Sequence, residues 1–365
     1  MEITHHMTKT TIYLNAVEFT RAETLLAQHA ALKVFAFRYA SGVSALRVTN
    51  PVGEIIMLPF HGQQIWDAKF YGRRLTMRSM FDEPVNTGDY LSNYGGFLLH
   101  CGATAMGNPG PGDTHPLHGE LPNAIYQSAE LTFGSDESGA YVEVSGRYRH
   151  TVAFSHNYVA EPRIRMNEND GRLAMHLAVN NLKATPMDVM YLAHVNFKPV
   201  DGAKLIDTAS DDPSKVNVRD KFPAFFKTTP EYLNFIKSLQ QNPALHREMT
   251  KGKTFDPELV MGLAFNSDEQ GWAHSMQALP DGSADFISHR PSELPRGVRW
   301  ITRTPNQDAI GIYLPATAEA NGYTAEKAKG NVLSIDAGNS FKCALEFGAL
   351  DEKAATEMKV KIGKI

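Results

Sequence analysis

The stretch Lys33-Val-Phe-Ala-Phe-Arg-Tyr-Ala-Ser-Gly-Val-Ser-Ala-Leu-Arg-Val-Thr-Asn-Pro-Val-Gly-Glu-Ile-Ile-Met-Leu58 decides the fold class. Apolar and polar residues alternate in three short runs, Lys33 to Tyr39, Val43 to Thr49 and Gly53 to Leu58, separated by Ser-Gly and Asn-Pro-Val-Gly. Alternation with period two places one set of side chains on one face of a strand, and the Gly/Pro/Asn punctuation turns the chain back on itself. The same texture returns at Ala140 to Arg149, Arg163 to Met166, Leu173 to Val179 and Asp188 to Phe197, and again at Ala284 to Ser288, Gln307 to Leu314 and Ser340 to Phe347. Many short strands without crossover helices predict an all-β, antiparallel sandwich.

One segment departs from this pattern. Thr229-Pro-Glu-Tyr-Leu-Asn-Phe-Ile-Lys-Ser-Leu239 has Thr at an N-cap, Pro at the first helical position and apolar residues at helical spacing. It predicts a helical insertion near 211–254, with Leu233, Ile236 and Leu239 turned inward. No linker or repeat divides the chain. The expected organisation is an N-terminal extension over 1–32, a single sandwich domain over 33–350 and a C-terminal tail over 351–365.

Composition narrows the function classes. With 365 residues, 42% hydrophobic and 21% charged, the chain can bury a large core. A net charge of −4, with no basic cluster interleaved with aromatics, argues against nucleic acid as a partner. Cys101 and Cys343 have no metal or disulfide spacing, which fits a reduced, cytoplasmic setting. No apolar run approaches the ~18 residues of a membrane span, and the His5-His6 pair reads as a frayed start. The expected ligand is a small molecule, bound by a chain acting alone or as a homo-oligomer.

Three polar clusters could serve it. The segment Gly107-Asn-Pro-Gly-Pro-Gly-Asp-Thr-His-Pro-Leu-His-Gly-Glu120 can be neither helix nor central strand, and it concentrates Asp113, His115, His118 and Glu120 in a loop. In Tyr191-Leu-Ala-His-Val-Asn-Phe197, His194 and Asn196 are two apart, so on a strand both face one way and need partners or a ligand. The third cluster joins Trp300 and Arg303 to a Pro-punctuated loop that carries Glu319.

The order Gly53-Glu-Ile-Ile-Met-Leu58, Gly62-Gln-Gln-Ile-Trp-Asp-Ala-Lys-Phe-Tyr-Gly72, His115-Pro-Leu-His-Gly119 and Ala193-His-Val-Asn-Phe197 resembles the aldose 1-epimerase, or galactose mutarotase, superfamily, in a poorly characterised branch. The resemblance runs from about Val34 to Leu350. It implies a β-supersandwich and anomer interconversion of a free sugar or sugar derivative, without metal or organic cofactor. By motif it makes His194 the general acid and His118 a substrate-binding residue. Asn196, Arg303, Glu120 and His115 are the further candidates for substrate contact. Related proteins place the general base in a Glu-Pro step, whereas this chain reads Tyr313-Leu314-Pro315, and a leucine accepts no proton. Glu319, five residues on in the same loop, is the expected substitute, ahead of Glu120. Two alternatives stand beside this reading: a metal-dependent sugar isomerase built on His115, His118 and Glu120, and a carbohydrate-binding protein without chemistry.

Overall fold

Alternation of buried and exposed side chains in the Leu32–Arg38 strand, followed by a tight return, sets the pattern for the whole chain. The Asn50 side chain accepts from the backbone N–H of Val52 and Gly53, closing the hairpin between Ser44–Asn50 and Gly53–Met57. Asn suits that turn because its side chain can stand in for a backbone acceptor. Repeated, this local rule yields, among the described residues, two large sheets, one of nine strands and one of thirteen, with every strand pairing antiparallel. The computed structural model describes residues 9–222 and 226–365; His5 and His6 lie outside them.

The inward faces of both sheets make one continuous core. Val34, Val48 and Leu98 come from the larger sheet, and Val144, Met175 and Phe347 from the smaller. A second apolar cluster lies on the other face of the larger sheet, where Leu99, Met190, Leu192, Trp300 and Leu314 pack under loops. The strand Met187–Val195 is therefore buried on both faces, with Val189, Tyr191, Ala193 and Val195 inward and Met190 and Leu192 outward.

The described segments on either side of 33–350 also pack with the sandwich. Thr10–Tyr13 pairs with Ser128–Asp136, and Thr24–His29 with Leu32–Arg38. Residues 351–365 hold the helix Glu352–Ile362, N-capped by Asp351, which packs Ala355 and Ile362 against Met276 and Phe286. No described helix is long and apolar enough to cross a membrane.

Within 211–254 the helix takes Pro230–Gln241, capped by Thr229 with Pro at its first turn. A short strand, Asn217–Val218, precedes it and pairs with Phe255–Gly262. The helix buries Tyr232, Ile236 and Leu239, and Leu233 stays exposed at 37%, against expectation. Spacing explains the correction, because 232, 236 and 239 form a single i, i+4, i+7 stripe that residue 233 lies beside.

A buried charge cluster ties this excursion to the sheet. Arg299, fully buried, donates to the Ile312 carbonyl at 2.8 Å, to Asp207 at 2.5 Å and to His246 Nε2 at 2.5 Å. Arg247 donates to Asp207 from its other side at 3.1 Å. Burial pushes the Asp207 carboxyl up, but the two guanidiniums outweigh it and hold the group at about 2. Removing one member leaves the others uncompensated in a dry interior. Asp207→Ala is therefore expected to cost about 3–5 kcal/mol of stability in urea unfolding, with Asp207→Asn costing less because it keeps an acceptor.

Candidate active site

The Pro/Gly loop is held where a side chain must project from an unusual backbone. His118 has φ +59°, and Gly119 follows at +81°. A Cβ at Gly119 would lie 2.3 Å from the Ala105 carbonyl oxygen and 2.4 Å from that of Gly102, so only glycine lets the loop close on the Leu98–Ala103 strand. The backbone is pinned on both sides of the histidine: His118 N–H donates to Gly107 O, and Gly102 N–H donates to His118 O. A non-glycine residue in the left-handed region is uncommon, and surrounding structure has to hold it there.

His194 comes from the doubly buried strand Met187–Val195. Its ring centroid is 5.8 Å from that of His118, although 76 positions separate them in sequence. Asn196 fixes its proton. The Asn196 amide NH2 donates to Gly96 O at 3.0 Å, so its oxygen faces His194 Nδ1 at 2.7 Å. That oxygen can only accept, so Nδ1 carries the hydrogen and Nε2 presents a lone pair. The Tyr94 hydroxyl lies 3.3 Å from both His194 Nε2 and Asn196 Oδ1. Burial pushes the His194 imidazole down to about 3, with His118 adding to the effect, and pushes His118 down to about 4, with His115 adding. Both rings are uncharged at neutral pH. His118 Nδ1 is buried without a hydrogen-bond partner.

Trp300 closes the third side. Its ring meets His194 edge to face, with centroids 5.3 Å apart, and its Nε1–H donates to Glu258 at 2.5 Å. The other Glu258 oxygen accepts from Arg219 at 2.5 Å, and Arg219 Nε is itself buried without a partner. Together these groups line a cavity of about 150 Å³. That is below the ~300–1,000 Å³ typical of drug-sized ligands.

A family model covers residues 40–349. The chain belongs to DUF4432, a family of domains of unknown function. Among curated proteins none matches it in sequence. Solved structures share the architecture: a proposed aldose 1-epimerase from Klebsiella pneumoniae superposes with TM-score 0.82 at 18% identity, over 98% of this chain and 96% of that one. A galactose mutarotase-like protein from Clostridium acetobutylicum gives 0.55 at 14% identity, over 88% and 99%. At such identities the likeness establishes the fold, which is mutarotase-like as the sequence pattern implied.

Of the residues expected from sequence, this DUF4432 protein brings together His118, His194 and Asn196. The others are placed elsewhere. Glu319 accepts from Lys329 at 2.6 Å and from Asn321, and is not part of the cavity lining. Arg303 is held by Asp201 and Asp308 at 2.9 Å each. Glu120 accepts from Tyr158 Oη, Thr104 Oγ1 and two backbone N–H groups, so it anchors the loop. His115 donates to Pro116 O and lines a separate, wider groove. The trio His115, His118 and Glu120 is thus split three ways, and no described group of three His, Cys, Asp or Glu side chains is placed to hold a metal.

Sequence reading missed Glu258, Tyr94 and Arg219. Phe255–Gly262 does alternate, with Phe255, Pro257, Leu259 and Met261 buried, so Glu258 could have been placed on the opposite face. Nothing in its type or spacing separated it from the other acidic residues.

The neutral histidines carry a consequence for stability. Their folded values lie below the ~6.5 of an unfolded histidine, so the unfolded chain binds more protons between these limits. The stabilisation from burying them neutral is complete above about pH 6.5 and is lost as pH falls toward 3–4. Urea unfolding at pH 7, 5.5 and 4.5 is expected to show falling stability, with a shallower fall in His194→Gln.

Proposed function

We propose that this protein is a carbohydrate isomerase that interconverts the anomers of a free monosaccharide or sugar derivative by proton transfer. The single observation that carries the reading is the convergence of His118, His194 and Glu258 on one small cavity walled by Trp300. Opening a hemiacetal needs a proton removed from the anomeric hydroxyl and one delivered to the ring oxygen, and each positioned group contributes on the order of 10²–10⁴-fold. An aromatic wall with unpartnered polar atoms around it suits a polyhydroxylated ring.

The tautomer of His194 assigns the direction of transfer. Nε2 has a lone pair, so it accepts the anomeric proton, directly or through the Tyr94 hydroxyl at 3.3 Å. As that O–H bond breaks, C1=O forms and the bond from C1 to the ring oxygen breaks. The imidazolium so made keeps its Nδ1–H on Asn196 and meets the Trp300 ring, whose own N–H is held by the Glu258 carboxylate. It then returns the same proton to the ring oxygen, and closure on the other face of C1 reverses each step. His194 thus serves as base and then acid, which replaces the expected pairing of a His194 acid with a Glu319 base. Glu258 takes the carboxylate's place in the site, holding the indole that meets the imidazolium and orienting hydroxyls.

One-dimensional exchange NMR across aldoses, ketoses and uronates tests the reading, with anomer exchange on at least one sugar expected. His194→Gln should lower kcat by about 10²-fold or more, and Glu258→Gln should lower kcat more than it raises KM. The pH profile discriminates the roles: the rate should hold from pH 8 to 5 and drop only as Nε2 is protonated near 3. A rate that climbs on acidification would make protonated His194 the initiating acid. Sugar binding without exchange would make the protein a binder.

A further inference from the structure

The cavity floor is divided lengthwise. Glu258 and Val260 share one face of the strand Phe255–Gly262; Trp300 and Val298 share one face of Arg296–Arg303; His194 and Leu192 share one face of Met187–Val195. These strands lie side by side with Asp308–Ala316 between the last two, and neighbours run antiparallel. The step from 258 to 260 therefore points the same way as the steps from 300 to 298 and from 194 to 192. A polar line, Glu258, Trp300 and His194, crosses the floor on the diagonal, with Val260 directly opposite Trp300, and an aliphatic line, Val260, Val298 and Leu192, runs parallel to it. Leu314, paired with Val298 across the ladder, fills the gap in the aliphatic line. All seven residues face the cavity.

The aliphatic line offers a ligand no hydrogen bond. A hydroxyl pressed against it would give up water and gain nothing, a penalty that recurs for each hydroxyl placed there. A ring hydroxylated at every carbon sets at least one hydroxyl against the aliphatic line, whereas a ring with one methyl or methylene edge need not.

We infer that the ligand is a deoxy sugar, whose methyl or methylene edge lies against Leu192, Val298 and Leu314 while its remaining hydroxyls meet the polar line. This rests on the anomer-exchange reading above and names its substrate class.

The test compares kcat/KM for exchange on matched pairs: L-fucose with L-galactose, L-rhamnose with L-mannose, and 2-deoxyglucose with glucose. At least one deoxy member should exceed its parent by about 10- to 100-fold, the range over which apolar pockets distinguish a single added hydroxyl. Leu314→Gln, which sets a hydrogen-bonding group in the aliphatic line, should shrink or invert that ratio. Parents used as well as or better than their deoxy partners in every pair would overturn the inference and leave anomer exchange standing. No exchange on any of the six, with exchange on another sugar of the wider panel, would overturn the inference alone, and no exchange on any sugar would overturn both.

Discussion

Two-sided burial of the strand Met187–Val195 is the constraint on which the site depends. One face closes the core between the sheets and the other roofs the second apolar cluster, so no residue in the strand's C-terminal half meets bulk water freely. A histidine admitted to such a strand cannot be charged at neutral pH, and its polar atoms must be answered locally. Asn196 answers one nitrogen and Tyr94 stands near the other. The chemistry open to the site follows from solvent exclusion before any ligand arrives. A neutral, oriented imidazole with one free lone pair is a proton acceptor first.

The sandwich was legible because period-two alternation and turn punctuation are local signals that tertiary packing had no reason to override. The i, i+2 relation of His194 and Asn196 was legible for the same reason, since strand geometry alone puts them on one face. The carboxylate was not. Glu319 and Glu258 look alike in sequence, and the difference between them lies in contacts made by distant residues: Lys329 draws one to the surface, while Arg219 and Trp300 hold the other at the cavity. Arg303 and Glu120 misled for a related reason, because a charged side chain near a strand end or loop is as readily used to brace the backbone as to meet a ligand. Thr10–Tyr13 and Thr24–His29 were not legible as strands, because they are edge strands, too short and mixed in composition to show a clear period.

The strand Arg296–Arg303 joins architecture to site through the same alternation. Trp300 faces the cavity, and Arg299, one residue earlier, faces the opposite way into the buried cluster with Asp207 and His246. The charges that anchor the 211–254 excursion therefore also hold in register the strand that presents the indole. A side chain outside the cavity thus braces the strand that carries one lining it.

The left-handed backbone at His118 limits what evolution can do with that position. Residues adopt φ near +60° with unequal ease: glycine most readily, then asparagine, aspartate and histidine, whereas Ala30, Gln63, Tyr71 and Phe154 are held there elsewhere in this chain by their surroundings. Drift among the first four types would leave the loop closed on its strand while changing the group offered to the cavity from a titratable ring to an amide, a carboxylate or nothing. Relatives that share the loop's shape can therefore differ in chemistry without differing in fold. Residue 118 is the place where one scaffold could shed or exchange an activity at little structural cost.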